Sequence, residues 1–425
     1  MERVPEAEID NAAADVVAYS FAFDPAEAGQ CVGDAIVIHA GSQRISMNEN
    51  TAATLGLVLP GGGARGAYQV GVIKALAELT PRNRNPFPVI VGSSVGAISA
   101  AFLAAHATRF DEGVAKLVEL WQNLHCRDVY RTDFVSISLH GLHWVLSLTP
   151  IASLGLPNPR SLLDNDPLRQ FLIDHTEFER ISEAVKAGAL KALCVTASSY
   201  DRGRAVTFFE GAPEIAEWSR ARRDGVATRL TVDHLLASSA LPLVFPAQRL
   251  GSEHYGDGSL RLTSPLSPAI HAGADKIIVI TTRDRDVDPP TRPDEVQYPP
   301  LGTIGGSMLD IIFMDNVDAD IERAQRIDHT LSLVAERRLG ETSLRDIDVI
   351  ALDPSEDIRE IARRHAAEMP WTVRMLLRRL GVWGEDWRLP SYLMFEPGYC
   401  RALIELGYRD TLARSKELIA FISEG

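Results

Sequence analysis

The sequence predicts an α/β fold, with a mostly parallel central sheet sandwiched by helices and an additional, mainly helical C-terminal region. Three observations carry that expectation. Apolar runs at Leu55–Leu59, Val89–Val91, Ala192–Ala197 and Lys276–Thr281 are short and continuous, as strands buried on both faces are. Stretches with apolar residues at helical spacing separate them, and this βα rhythm favours parallel pairing. Two of the runs pass directly into glycine-rich turns that open helices. In open parallel sheets such turns lie at the carboxyl ends of the strands, where sites form.

Taken in order, residues 1–50 are acidic and alternate only weakly, so they are expected to form an N-terminal arm or an extra hairpin. Residues 51–288 hold the strand–helix alternation. Leu55–Leu59 leads into a helix at Tyr68–Leu79, where Val72, Ile73, Leu76 and Leu79 follow helical spacing. Val89–Val91 leads into an alanine-rich helix around Ser99–Ala107, and further helices are expected at Asp111–Leu120, Pro167–Asp174 and Val232–Ser239. The stretch Phe134–Leu156 carries no Asp, Glu, Lys or Arg, but His140, His143, four serines and Pro150 make it a poor membrane span. It reads either as a lid whose apolar face contacts a substrate or as a helix buried on the sheet.

The proline- and charge-rich segment from Arg285 to Pro300 marks a boundary. Residues 289–425 read as helical, with long amphipathic stretches at Leu309–Asp328 and at Ser355–Leu380, the latter broken at Pro370, and a closing helix over Pro390–Ile422. Past Pro370, Trp371, Met375, Trp383 and Trp387 are interleaved with Arg374, Arg378 and Arg379. That composition suits a bilayer interface. It equally suits a helix packed on the core with solvated arginines.

The chemistry concentrates in the turns. Gly92-Ser93-Ser94-Val95-Gly96 matches G-x-S-x-G, in which a serine at the apex of a strained strand-to-helix turn exposes its oxygen. Ser94 is the candidate nucleophile, because Ser93 lacks the flanking glycine pair. Gly92 and Gly96 remove the Cβ atoms that would obstruct so tight a turn. Upstream, Gly61-Gly62-Gly63-Ala64-Arg65-Gly66 leaves main-chain N–H groups at a helix N-terminus, able to hold a developing oxyanion or a phosphate. The phosphate alternative has support in the spacing Gly61-x-Gly63-x-x-Gly66, a dinucleotide pattern. No Gly-Lys-Ser/Thr follows, and Asn83-Arg84-Asn85-Pro86 offers no acidic residue where a nucleotide fold would place one. The oxyanion reading is preferred.

A third element is Tyr255-Gly256-Asp257-Gly258-Ser259, which follows Ala237-Ser238-Ser239-Ala240-Leu241-Pro242-Leu243-Val244-Phe245-Pro246. In isolation Asp-Gly is an ordinary turn dipeptide. Together, however, GGGARG, GSSVG, ASSALPLVFP and the Asp-Gly turn resemble the patatin-like phospholipases, with further likeness in Ser161–Leu168 and Pro265–Ala274. The resemblance covers residues 54 to 285, and Ser259 stands where that family usually has Gly or Ala. It implies acyl transfer from lipid esters by a Ser–Asp dyad, with Ser94 as nucleophile and Asp257 as general base. The loop Gly61–Gly66 would supply oxyanion donors from Gly62, Gly63 and Arg65, and no metal or cofactor is implied. An ionised aspartate in water is a feeble base, so Asp257 is expected to be shielded from water near Ser94. A histidine-based triad would need His234, His254 or His271 near Ser94, with His254 the nearest in sequence to Asp257. A catalytically silent relative that binds lipid or a partner protein is the remaining alternative.

Composition agrees with an enzyme domain. The chain has 425 residues, 46% of them hydrophobic, and a net charge of −14. That balance opposes nucleic-acid binding and attraction of the whole molecule to anionic membranes. Cys31, Cys126, Cys194 and Cys400 show no paired spacing, which favours a reducing cytoplasm over a disulfide framework or zinc site. The N-terminus lacks the pattern of a signal peptide. A cytoplasmic protein with peripheral contact at lipid surfaces is the expectation.

Overall fold

Five strands make the parallel core of the sheet. In a computed structural model that describes residues 53–139, 161–283, 301–333, 344–379, 381–384 and 387–423, these are β1 (Leu55–Leu59), β2 (Val89–Ser93), β3 (Ala192–Ser199), β9 (Lys276–Ile280) and β10 (Asp348–Leu352). They lie in the order β10-β9-β1-β2-β3, all parallel. β1, β2, β3 and β9 are buried along their whole length, which is why their sequences read as continuous apolar runs. Alternate residues serve two cores. Leu57, Leu59, Ile90 and Leu193 face one side, while Val58, Val89, Val91 and Cys194 face the other.

Beyond β3 the sheet changes character. β4 (Arg204–Gly211) runs antiparallel to β3, β6 (Arg223–Ala227) pairs with β4, and β5 (Trp218–Arg220) closes that edge. β7 (Gln248–Leu250) and β8 (Glu253–Gly256) form a hairpin that joins β3 through Ser198 and Ser199. β4 to β8 and β10 were not anticipated from sequence. β5 to β8 are short or part-exposed, and their apolar pattern is broken by Arg, Asp, Glu and Gly. β4 is long and buried at its middle but begins with Arg204 and ends in Glu210 and Gly211, and β10 starts on exposed Asp348.

The helices predicted between the strands are present, with shifted ends. They include α1 (Gly66–Leu79), α2 (Val95–Ala105), α3 (Phe110–Gln122), α4 (Asp166–His175) and α5 (Val232–Ser238). In the C-terminal region, α6 (Leu301–Asp310) and α7 (Asn316–Ser332) are joined by a π turn at Ile311–Asp315. The stretch expected as one helix over Leu309–Asp328 therefore extends past both ends and carries an interruption. α8 (Trp371–Arg379) starts just after the predicted break at Pro370, and Pro390–Ile422 resolves into α9 (Arg388–Leu393), α10 (Pro397–Ala413) and a last helix at Ser415–Ser423. Residues Ala52–Gly425 make one compact unit. The expected N-terminal arm, the 285–300 boundary segment and residues 140–156 of the apolar stretch lie outside the described residues. Among the described residues, no helix is long and apolar enough to cross a membrane, and Cys126, Cys194 and Cys400 are buried free thiols.

One close approach sets how the C-terminal region meets the sheet layer. A Cβ on Gly71 of α1 would sit 2.0 Å from the carbonyl oxygen of Ile404 in α10, and one on Gly407 would sit 2.3 Å from that of Tyr68. The two helices touch backbone to backbone, and neither carbonyl can rotate away without loss of a helical hydrogen bond. Gly71→Ala or Gly407→Ala is expected to lower unfolding stability by about 1–3 kcal/mol through overpacking, read from urea denaturation. An unchanged midpoint in both variants would show that this contact is looser than described.

Candidate active site

Adjacent strands β1 and β2 end side by side, so their glycine turns converge. Ser94 lies between β2 and α2 with φ 52° and ψ −131°, a left-handed conformation that a non-glycine residue adopts only under constraint. The constraint is visible. A Cβ on Gly96 would lie 2.0 Å from Leu59 O at the end of β1, so α2 begins hard against the neighbouring strand. The Ser94 N–H donates to Ser238 Oγ at 2.9 Å, and the Ser238 hydroxyl donates to Thr196 O at 2.6 Å. Ser94 itself is 5% exposed.

Asp257 follows β8 beside the end of β3. Its N–H donates to Ala240 O at 2.8 Å, and a Cβ on Gly258 would meet Thr196 O at 2.1 Å, which accounts for glycine after the aspartate. The side chain is fully buried. Oδ1 accepts from the Ser259 N–H at 2.9 Å, while Oδ2 is buried with no hydrogen-bond partner among the described residues. Burial raises the Asp257 pKa from 3.8 to about 6, against the lowering influence of the Ser94 hydroxyl and of Ser259. The Ser94 hydroxyl thus lies close enough to bias the carboxylate, without a well-formed hydrogen bond to it. Ser259, the departure from the usual small residue, is buried, with Oγ 3.4 Å from Ser93 Oγ.

In the glycine loop, Gly63 has φ +53°, and its Cβ position falls 2.3 Å from Tyr392 O, so glycine is required twice over. The Arg65 N–H donates to Gly62 O at 3.1 Å and the Gly66 N–H turns back to Gly63 O. Those two main-chain donors are engaged within the turn. No bond engages the N–H of Gly62 or Gly63 among the described residues. Gly61 accepts from Thr282 Oγ1 at 3.3 Å, and its Cα faces the Phe313 ring. Gln69 Nε2 donates to Pro60 O and Ile280 O at 2.9 and 3.0 Å, which pins the loop to β9.

Sequence reasoning missed what holds this loop from below. The Arg65 guanidinium is buried, with Nε donating to Ser391 Oγ at 2.9 Å and Nη1 to the Tyr392 hydroxyl at 3.1 Å. It lies 3.8 Å above the Tyr392 ring and 3.5 Å from Asp310. Asp310 also accepts from the Tyr392 hydroxyl at 2.8 Å. Ser391 stands 326 residues from Arg65, so no local pattern could have signalled it. Ser238 and Ala240 were missed for a different reason: their segment was read as a family likeness without a role.

The pocket beside Ser94 and Gly63 is walled almost wholly by apolar side chains, among them Ile98, Phe102, Leu172, Phe245 and Phe395. The three histidines considered for a triad lie elsewhere. His254 is an exposed residue of β8 near Asp201, His234 packs edge-on against Phe208, and His271 stacks on Trp218. None of them lines this pocket.

Over 54 residues the chain is 52% identical to lysophospholipase nte1 of Aspergillus terreus (strain NIH 2624 / FGSC A1156), a stretch that is 13% of this chain and 3% of that protein. Among solved structures, VipD from Legionella pneumophila superposes with a TM-score of 0.32 at 13% identity, covering 86% of this chain and 67% of that one. The type III effector protein ExoU superposes with a TM-score of 0.35 at 16% identity, covering 87% and 54%. Residues 57–270, half of the chain, match the profile described as patatin-like phospholipase, a span that takes in the glycine loop, the Ser94 turn and Asp257. The chain belongs to the patatin-like phospholipase family.

Proposed function

We propose that the protein is a serine acyl hydrolase of lipid esters that works through a Ser94–Asp257 dyad. The observation that carries this reading is the buried Asp257, with Oδ2 unpartnered, beside a serine held in a strained turn. A buried polar atom without a partner is uncommon and asks for a reason. An acceptor kept dry and vacant is poised to take the hydroxyl proton as Ser94 Oγ bonds to the ester carbonyl carbon. The N–H groups of Gly62 and Gly63 then stabilise the negative oxygen, at about 3 kcal/mol for each well-placed donor. Asp257 returns the proton to the departing alcohol oxygen as the ester bond breaks, leaving an acyl-enzyme. Water repeats the sequence and releases the carboxylic acid.

The apolar pocket supports an acyl chain as the group held beside Ser94, since it offers that chain a water-free wall and few hydrogen-bond partners. A carboxylate whose pKa stands at about 6 is a better base than a free aspartate and is still mostly ionised at neutral pH. No cofactor enters this sequence of steps.

Ser94→Ala is expected to abolish labelling by a fluorophosphonate and to cut hydrolysis of a dissolved short-chain nitrophenyl ester by about four orders of magnitude or more. Substantial turnover by the folded Ser94→Ala protein would remove Ser94 from the mechanism and leave the lipid-binding alternative. For the parent, kcat/KM on the same ester should fall about tenfold per pH unit below pH ~6, as Asp257 takes up its proton. A flat profile between pH 5 and 7 would rule out Asp257 as the base.

The same carboxylate makes a stability prediction of opposite sign. Because its folded pKa is raised, the native state binds the proton more tightly than the unfolded chain does. Stability is therefore lost as pH rises from the unfolded value of 3.8 through about 6. Asp257→Asn should be more stable than the parent at pH 7 by about 2–3 kcal/mol, with the gain largely gone at pH 4. Denaturant titrations at the two pH values read it directly.

A further inference from the structure

Two segments that the sequence offered separately as lid or lipid surface meet in space. Phe134 and Trp371 stack with ring centroids 5.8 Å apart and planes inclined by 16°, yet they stay 51% and 58% exposed. Val135 and Leu139 beside them are also exposed. The Thr372 hydroxyl donates to Thr132 O at 2.6 Å and ties the two segments together. α8 buries Thr372, Val373 and Leu377 against the core. Its outer face is Trp371, Arg374, Met375 and Arg378, spaced i, i+3, i+4 and i+7.

The charges that α8 contributes to this face have one sign. Arg374, Arg378 and Arg379 form no ion pair among the described residues, and Arg378 lies 5.8 Å from the Trp383 ring instead. Arg131, at the near edge, is paired with Asp164. The carboxylate of Asp133 accepts from the Ser136 N–H at 2.8 Å. A few residues before Phe134 the chain forms part of the wall of the Ser94 pocket: Val129 and Leu393 line that pocket, and the Tyr130 hydroxyl donates to Leu393 O at 2.8 Å.

We propose that this face docks on an anionic phospholipid bilayer, with Phe134 and Trp371 in the headgroup–acyl boundary and Arg374, Arg378 and Arg379 on lipid phosphates. Aromatic rings with arginines beside them partition to that boundary. The net charge of −14 opposes approach of the whole molecule. Beyond about 8–10 Å it is screened at physiological ionic strength, so the local arginines decide the contact. Docking does not depend on the dyad. Its use, to bring the Ser94 pocket to the lipid it would hydrolyse, rests on the hydrolase reading above.

The test uses the full chain carrying Ser94→Ala, so that lipid is not consumed, in flotation with unilamellar vesicles. Vesicles of phosphatidylcholine alone are compared with vesicles that also contain phosphatidylglycerol. The protein is expected to float with the anionic vesicles, less with the neutral ones, and less again as salt is raised. At about 1 kcal/mol for each arginine, Arg374→Gln/Arg378→Gln/Arg379→Gln should reduce anionic partitioning on the order of a hundredfold. Phe134→Ala/Trp371→Ala should reduce it on both vesicle types. The same substitutions in the Ser94-containing chain should leave turnover of a dissolved short-chain ester unchanged, which also shows that the variants fold. Absence of flotation, as would follow if another segment of the chain covers the patch, or flotation undiminished in either variant, overturns the proposal. If the Ser94-containing chain fails to hydrolyse the dissolved ester while the flotation results hold, the hydrolase reading falls and the docking surface stands.

Discussion

A carboxylate taken wholly out of water, with one of its oxygens unpartnered, costs a protein stability. Asp257 is such a group, and much of the surrounding structure serves to hold it. Its N–H is fixed to Ala240 O and its Oδ1 to the Ser259 N–H. Gly258 allows the chain to press against Thr196. The same short segment that fixes Asp257 through Ala240 also fixes Ser94 through Ser238. One stretch of chain thus sets the spacing between serine and carboxylate, and displacement of either moves with the other.

The glycine loop depends on a second buried charge. Arg65 is held through Nε and Nη1 by Ser391, Tyr392 and Asp310, all contributed by the C-terminal region. A buried guanidinium deprived of its partners is strongly destabilising. The C-terminal helices therefore determine whether the loop of the parallel sheet can keep its shape. β10 reinforces the same dependence by extending the sheet beyond β9. The region read as a helical appendage supplies a strand, the supports of the glycine loop and part of the pocket wall through Phe313, Tyr392, Leu393 and Phe395.

The π turn at Ile311–Asp315 belongs to the same arrangement. Such turns interrupt helices where a side chain must be placed off the regular spacing. Here the turn brings the Phe313 ring against Gly61 and into the pocket. The amphipathic periodicity of Leu309–Asp328 predicted helix correctly but could not reveal a one-residue widening of the turn.

The sequence by itself determined the buried strands, because a strand covered on both faces must be apolar at every position. It also determined the two glycine turns, because only glycine tolerates a backbone carbonyl where Leu59 O and Tyr392 O lie, 2.0 and 2.3 Å from any added Cβ and far inside van der Waals contact. These are local constraints, and each leaves a local signature. Strands β4–β8, mostly short or part-exposed and interrupted by polar residues, left none strong enough to read. Tertiary structure alone decided which distant groups meet: Arg65 with Ser391 and Asp310, Phe134 with Trp371. Such pairs are joined by burial and packing across long stretches of chain, and neither partner carries a mark of the other in its own neighbourhood.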